Sequence, residues 1–232
     1  APVANDLREV SSALKMITDL ERIGDQAIDI AEVSQYIKSR NTVINVTHID
    51  EMASQASKMV TLAIDAFVKK DVDLAKTVSK SDDVIDELFD KVKKETVEII
   101  QRDKALGEEA IDLMMIAKYL ERIGDHAENI MRRVTTAKEE NYEFSDIGIA
   151  EFKEIYEVDL ELLDRALGAF TNKHLTDAEE HQLHYLEDTI DYLTLQAQDN
   201  HVQRLREKKC HTSSGVIFTK ALQDLERVGD HS

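Results

Sequence analysis

Glutamate and aspartate recur four residues apart at three places in this chain: Glu21 and Asp25, Glu121 and Asp125, Glu226 and Asp230. Each pair sits in one setting, LERIGD from Leu20 and from Leu120, and LERVGD from Leu225. On a helix this spacing puts both carboxylates on one face, a turn apart. Carboxylates so placed offer hard oxygen ligands to a cation. Left bare and exposed they repel by ~0.2–0.5 kcal/mol, and desolvation beside a core raises their pKa values. The glycine between them (Gly24, Gly124, Gly229) costs about 1 kcal/mol against alanine in a helix interior. Taking both penalties three times points to a gain: close approach of another helix at the glycine, and cation binding at the acids.

Further acid pairs lie upstream. Asp82 and Asp86 stand at i, i+4 in SDDVIDELFD, and Glu187 and Asp191 do so in LEDTIDYL. Asp86 precedes Glu121 by 35 positions, and Asp191 precedes Glu226 by 35. If the chain reverses between the pairs, two carboxylate ladders face each other, and a multinuclear cation site relieves their repulsion. The plainer alternative is a packing glycine flanked by solvated acids, with Arg22, Arg122 and Arg227 pairing to them. His126 and His231 follow two of the motif aspartates, but Gln26 holds that place in the first, which favours a solvated or supporting role over ligation. His181 and His184 share a helix face at a commonplace spacing, and Cys210 has no partner that points to catalysis.

The elements that must position these residues are helices. The chain has one proline, seven glycines and no tryptophan, and few breakers leave long helical runs uninterrupted. The 3.6-residue apolar period predicts helices near 5–38, 47–70, 72–103, 105–138, 147–172, 176–208 and 213–232. Thr47, Ser145, Thr176 and Ser213 or Ser214 are the expected N-caps. Short polar connections favour antiparallel neighbours. On the first helix Val10, Ile17, Gly24 and Ile28 form the core stripe, with Glu21, Asp25 and Asp29 along its edge.

A shift of 105 residues lays Asp82 on Glu187, Asp86 on Asp191, Glu121 on Glu226 and Asp125 on Asp230 without a gap. The expected fold is all-α: tandem antiparallel three-helix bundles with an internal repeat of about 105 residues. Residues 1–40 read as the third helix of an incomplete N-terminal bundle, 41–140 as a three-helix bundle, and 141–232 as a second one truncated at its C-terminus. Both ends thus read as cut, and the chain as a fragment or an assembled chain. The first helix then needs partners from the other units or from a second chain, so a homodimer is an expectation.

Composition excludes several classes. Carboxylates outnumber Lys and Arg 47 to 29, a net charge of −18, which argues against nucleic acid. No apolar run is long enough to span a membrane. A single cysteine forbids an intrachain disulfide and fits a reducing compartment. The E-x-x-H pattern of di-iron carboxylate bundles, phosphate loops and nucleophile elbows are all absent from the sequence, so no enzyme is expected.

PVANDLREVSSALKMITDLERIGDQAIDIAE and LMMIAKYLERIGDHAENIMRRV resemble the motif helices of the PhoU family of phosphate-uptake regulators. With the acid-rich helix before the second, the resemblance covers roughly residues 1–137. The remainder, from LEDTIDYL to LERVGDHS, resembles the PhoU-like cytoplasmic domain behind sodium–phosphate symporters. The resemblance implies tandem three-helix bundles whose E(D)-x-x-x-D motifs bind multinuclear iron or zinc, with magnesium or manganese as further options. On this chain those positions are Glu21, Asp25, Asp82, Asp86, Glu121, Asp125, Glu187, Asp191, Glu226 and Asp230. It also implies a cytoplasmic, non-enzymatic adaptor, peripheral to the inner membrane through its partners. Those partners are a phosphate ABC transporter and a membrane sensor histidine kinase; the alternatives are a symporter's cytosolic regulatory domain or a metal-binding helical scaffold. The family usually carries two complete units, whereas this chain carries three motif helices, the first without the two helices before it.

Overall fold

The computed structural model describes residues 2–37, 47–139, 146–172 and 175–206. Among the described residues, six α-helices follow in order: α1 (Pro2–Ser34), α2 (Thr47–Lys69), α3 (Val72–Arg102), α4 (Gly107–Glu139), α5 (Asp146–Asn172) and α6 (Asp177–Arg206). A single 3-10 turn, Lys104–Leu106, joins α3 to α4. There is no strand among the described residues, so the all-α expectation holds. The expected caps Ser145 and Ser213 or Ser214, like the seventh helix, lie outside the described residues.

Local chemistry explains the boundaries. Lys70 takes a left-handed φ of 53° between α2 and α3, and the Asp71 carboxylate then accepts from the amides of Asp73 and Leu74, both at 3.0 Å. Thr176 starts α6 with a capping box. Its hydroxyl accepts from the Glu179 amide at 3.2 Å, while the Glu179 carboxylate accepts from the Thr176 amide at 2.7 Å.

The helices form two groups of three, α2–α3–α4 and α1–α5–α6, joined where α1 packs on α4 and α2 on α5. At the second seam Phe67 and Phe152 meet edge to face, 4.5 Å between centroids. Helix α1, which the repeat leaves without its own two helices, therefore completes the α5–α6 hairpin of the same chain. Its position between the groups widens its buried surface beyond one stripe: Met16, Leu20, Ile23 and Ile30 are wholly buried along with Ile17 and Gly24.

The two groups repeat in detail. At the open end of the α2–α3 hairpin, His48 Nδ1 lies 2.5 Å from Glu95 Oε1. The corresponding place on α5–α6 holds Glu151, which accepts from Arg204 at 2.6 and 2.7 Å and from Asn200 at 3.0 Å. Between α2 and α5 the register is 103 residues: Met52, Met59, Val60, Ala63 and Phe67 are matched in burial by Ile155, Leu162, Leu163, Ala166 and Phe170.

Candidate metal centre

Gly24 and Gly124 are each packed tightly beneath a facing helix. A Cβ built on Gly124 of α4 would stand 2.9 Å from Ile85 Cδ1 of α3 and 3.6 Å from Asp82 Oδ1. One built on Gly24 of α1 would stand 3.0 Å from Ile190 Cδ1 of α6. Ile85 and Ile190 are related by the 105-residue shift, so α1 meets α6 as α4 meets α3. A Cβ at either glycine would force the facing side chains to shift beside the acids.

Those acids face one another. Across α3 and α4, Asp82 feels Asp125, and Asp86 feels Glu121, in antiparallel order. Across α6 and α1, Asp25 feels Asp191 and Glu187, and Glu21 feels Asp191. Partial burial, reinforced by the facing carboxylates, pushes Asp25 up to about 6 from 3.8. Asp82 is also pushed up to about 6, by burial first and then by Glu128, Asp125 and Asp86. Glu21, Asp86 and Asp125 are raised for the same reasons.

The partners differ from expectation in one respect. By repeat, Glu187 and Asp191 should face Glu226 and Asp230; among the described residues, the acids they face are Glu21 and Asp25 of α1. Glu226 and Asp230 lie outside the described residues. The arginine pairing of the plainer reading is also modified. Glu121 is held by Lys118 one turn back, whose ammonium lies 5.4 Å from the centre of the Phe89 ring. The motif Arg122 reaches across to Gln26 at 3.5 Å. His184 Nδ1 lies 3.2 Å from Glu187 Oε2 on its own helix.

Two residues that spacing alone does not single out complete the picture. Asp159 of α5 is wholly buried, and neither of its carboxylate oxygens has a hydrogen-bond partner. Its Oδ1 is 2.9 Å from the place a Cβ on Gly24 would take. Burial first, then Asp25 and Glu21, hold its pKa well above the ordinary value. In the 103-residue register its counterpart is Ala56, also wholly buried, so the α1–α5–α6 group carries a carboxylate where the other carries a methyl. The signal was an acid at an apolar core position, visible only once α2 and α5 are aligned two residues off the main repeat.

Asp19 is the other. It is buried between α1 and α4, where His126 Nδ1 lies 3.1 Å from Oδ1, Asn129 donates to Oδ1 at 3.4 Å and Arg133 donates to Oδ2 at 3.3 Å. His126 is thus occupied at the seam between the groups rather than turned toward the Asp82–Asp125 acids.

In donor chemistry and charge these acids fit a hard cation: oxygen donors only, like charges opposed, and at Asp159 an unpartnered buried carboxylate. Among the described residues, no three His, Cys, Asp or Glu side chains converge closely enough to hold an ion as they stand.

Comparison with known proteins points to one family. The family model for the PhoU domain matches residues 1–34, 49–134 and 152–232. The phosphate-specific transport system accessory protein PhoU homolog of Clostridium acetobutylicum is 35% identical over 128 residues, 55% of this chain and 58% of that protein. PhoU homolog 1 of Thermotoga maritima is 38% identical over 134 residues, 57% of this chain and 58% of its own length. The Deinococcus radiodurans homolog is 32% identical over 133 residues, 57% of this chain and 62% of its own. The chain therefore spans about three fifths of the length of these curated relatives. No solved structure matches it. Matched along most of its length, with the glycine-centred motif helices seated on acid-bearing partners, the chain belongs to the PhoU domain family.

Proposed function

We propose that this chain is a non-enzymatic, cation-binding regulator of phosphate uptake, an adaptor between a phosphate ABC transporter and a membrane sensor histidine kinase. The relatives are named for an accessory role in phosphate-specific transport. The observation that carries the cation-binding part is the opposed carboxylates beside Gly24 and Gly124, with Asp25 and Asp82 both raised to about 6. In this reading Glu21, Asp25, Glu187 and Asp191 serve one site, and Asp82, Asp86, Glu121 and Asp125 the other. Glu226 and Asp230 remain candidates on sequence alone. A bound cation, iron or zinc in the first instance, supplies positive charge that offsets the carboxylates.

The chain's own residues do the rest. Gly24 and Gly124 bring the ladders close, Ile190 and Ile85 keep water from beneath them, and Asp19 ties α1 to α4 so that the two groups keep one relative orientation. The partner reads that ordered, acidic surface. No helix of the described residues is long and apolar enough to cross a membrane, which fits a cytoplasmic protein held peripherally by its partners.

Metal analysis by mass spectrometry tests the site on untagged protein purified without chelator, beside the Glu121→Gln/Asp125→Asn variant. Ions retained by the parent and lost in the variant support the reading. A metal-free parent with its fold intact returns the motif to helix packing.

A further inference from the structure

Helix α6 turns two tyrosines and a leucine outward. Tyr185, Tyr192 and Leu195 are 64%, 62% and 64% exposed. Tyr185 and Tyr192 stand two turns apart in one line, and Leu195 lies a turn beyond, to one side. The buried face of the helix is the opposite one, with Leu183, Leu186, Ile190 and Ala197. Single exposed apolar residues are ordinary. Three on one face, two of them tyrosines, form a patch of the kind that marks protein contacts.

The repeat supplies an internal control. The 105-residue shift lays Tyr185 on Lys80, Tyr192 on Glu87 and Leu195 on Asp90 of α3, and Glu87 and Asp90 are exposed. One outward place is thus charged in the first group and apolar in the second. The packing task of the two helices is alike, since Ile85 meets Gly124 as Ile190 meets Gly24. Folding the hairpin therefore does not call for the tyrosines.

Charge indicates what covers them. Asp188 and Asp199 are exposed on the same outward face. From Asp177 to Gln203 the helix carries acids and no Lys or Arg, and Arg204 beyond them is bound to Glu151. Helix α3, by contrast, sets Lys76, Lys80, Lys91, Lys93 and Lys94 among its acids. An apolar face edged by acids alone repels a second copy of itself, and equally an anionic bilayer. It complements a helix whose apolar stripe is edged by Lys or Arg, because such cations pair with the carboxylates and settle over the tyrosine rings.

We propose that the outward face of α6, built on Tyr185, Tyr192 and Leu195 and edged by Asp188 and Asp199, is a docking surface for a basic amphipathic helix of a partner protein. The proposal rests on the adaptor reading for its need of a partner. It needs no cation at the ladders, so docking is measured in chelator and fails or succeeds apart from the metal content.

The probe is a fluorescein-labelled peptide of leucine and lysine with its leucines at helical spacing, set against a scramble of the same composition. Fluorescence anisotropy on the full chain follows both. The parent should bind the amphipathic peptide ~10-fold or more tightly than the scramble. Tyr185→Lys/Tyr192→Glu/Leu195→Asp, which installs the α3 residues, should abolish that difference. This variant is more negative than the parent, so binding driven by net charge alone would survive it. Asp188→Asn/Asp199→Asn should weaken binding by ~3–10-fold and flatten its dependence on salt. Hydrogen exchange of the parent, with and without the peptide, reads the face even if the triple variant fails to fold, and the largest slowing should fall in α6. Equal binding of the two peptides, undiminished preference in the triple variant, or slowing greatest in another helix overturns the proposal. So does a parent that sediments as a dimer while the triple variant sediments as a monomer, which would give the face to a second copy.

Discussion

Asp25 and Asp82 keep their protons up to a pH of about 6, against 3.8 for a free aspartate. Between those values the folded chain binds more protons than the unfolded one. The stability they contribute is present in full below the unfolded value and is lost as pH rises through about 6. His201 works the other way in the same window. Burial and the neighbouring Arg204 push its imidazole down to about 4 from 6.5, so its contribution is lost as pH falls. A raw pH profile mixes the two, whereas the difference between the parent and Asp25→Asn/Asp82→Asn isolates the acids. In urea denaturation of chelator-treated protein, the variant should match the parent near pH 4 and exceed it by ~1 kcal/mol per site at pH 7, the full shift being discounted for solvent screening. An equal gain at both pH values would assign it to amide packing instead. Of these residues, Asp25 and Asp82 were legible from their spacing. Asp159 and Asp19 were not, because an acid among apolar neighbours announces burial only when the helix packed against it is known.

Helix limits were legible because they depend on local chemistry. The Thr176 cap expected from sequence is present, and the structure adds the reciprocal Glu179 bond to the Thr176 amide. Thr176→Ala should destabilise the protein by ~1 kcal/mol. That loss is measurable as a lower urea midpoint with an unchanged slope, and a neutral result would mean that the amides are served by water. The breadth of the buried face on α1 was less legible. A single stripe through Ile17, Gly24 and Ile28 describes a helix with one neighbour, and α1 has neighbours on two sides.

For the whole molecule the governing quantity is the net charge of −18. Opposed ladders concentrate that repulsion at two places, which screening relieves. Raising potassium chloride from low to moderate concentration should therefore raise Tm of the chelated protein by a few degrees, of the order that ~1 kcal/mol produces. A fall in Tm would mean that ties such as Asp19–Arg133 and Glu151–Arg204 outweigh the repulsion. A divalent cation bound at the ladders should act at far lower concentration, through mass action on the folded state.

Sequence by itself determined the described helices, their order and the spacing of the acid pairs, since each follows from periodicity along a continuous chain. Tertiary structure decided which motif helix sits on which hairpin. The motif stretches of α1 and α4 present nearly the same buried face, so local pattern cannot assign them to their hairpins. The choice depends on what lies behind each helix. Behind α1 stands α4, whose His126, Asn129 and Arg133 reach Asp19. The same reasoning covers Asp159. Its isolation beneath Gly24 exists only because α1, α5 and α6 meet there, and no spacing within any one of them encodes that meeting.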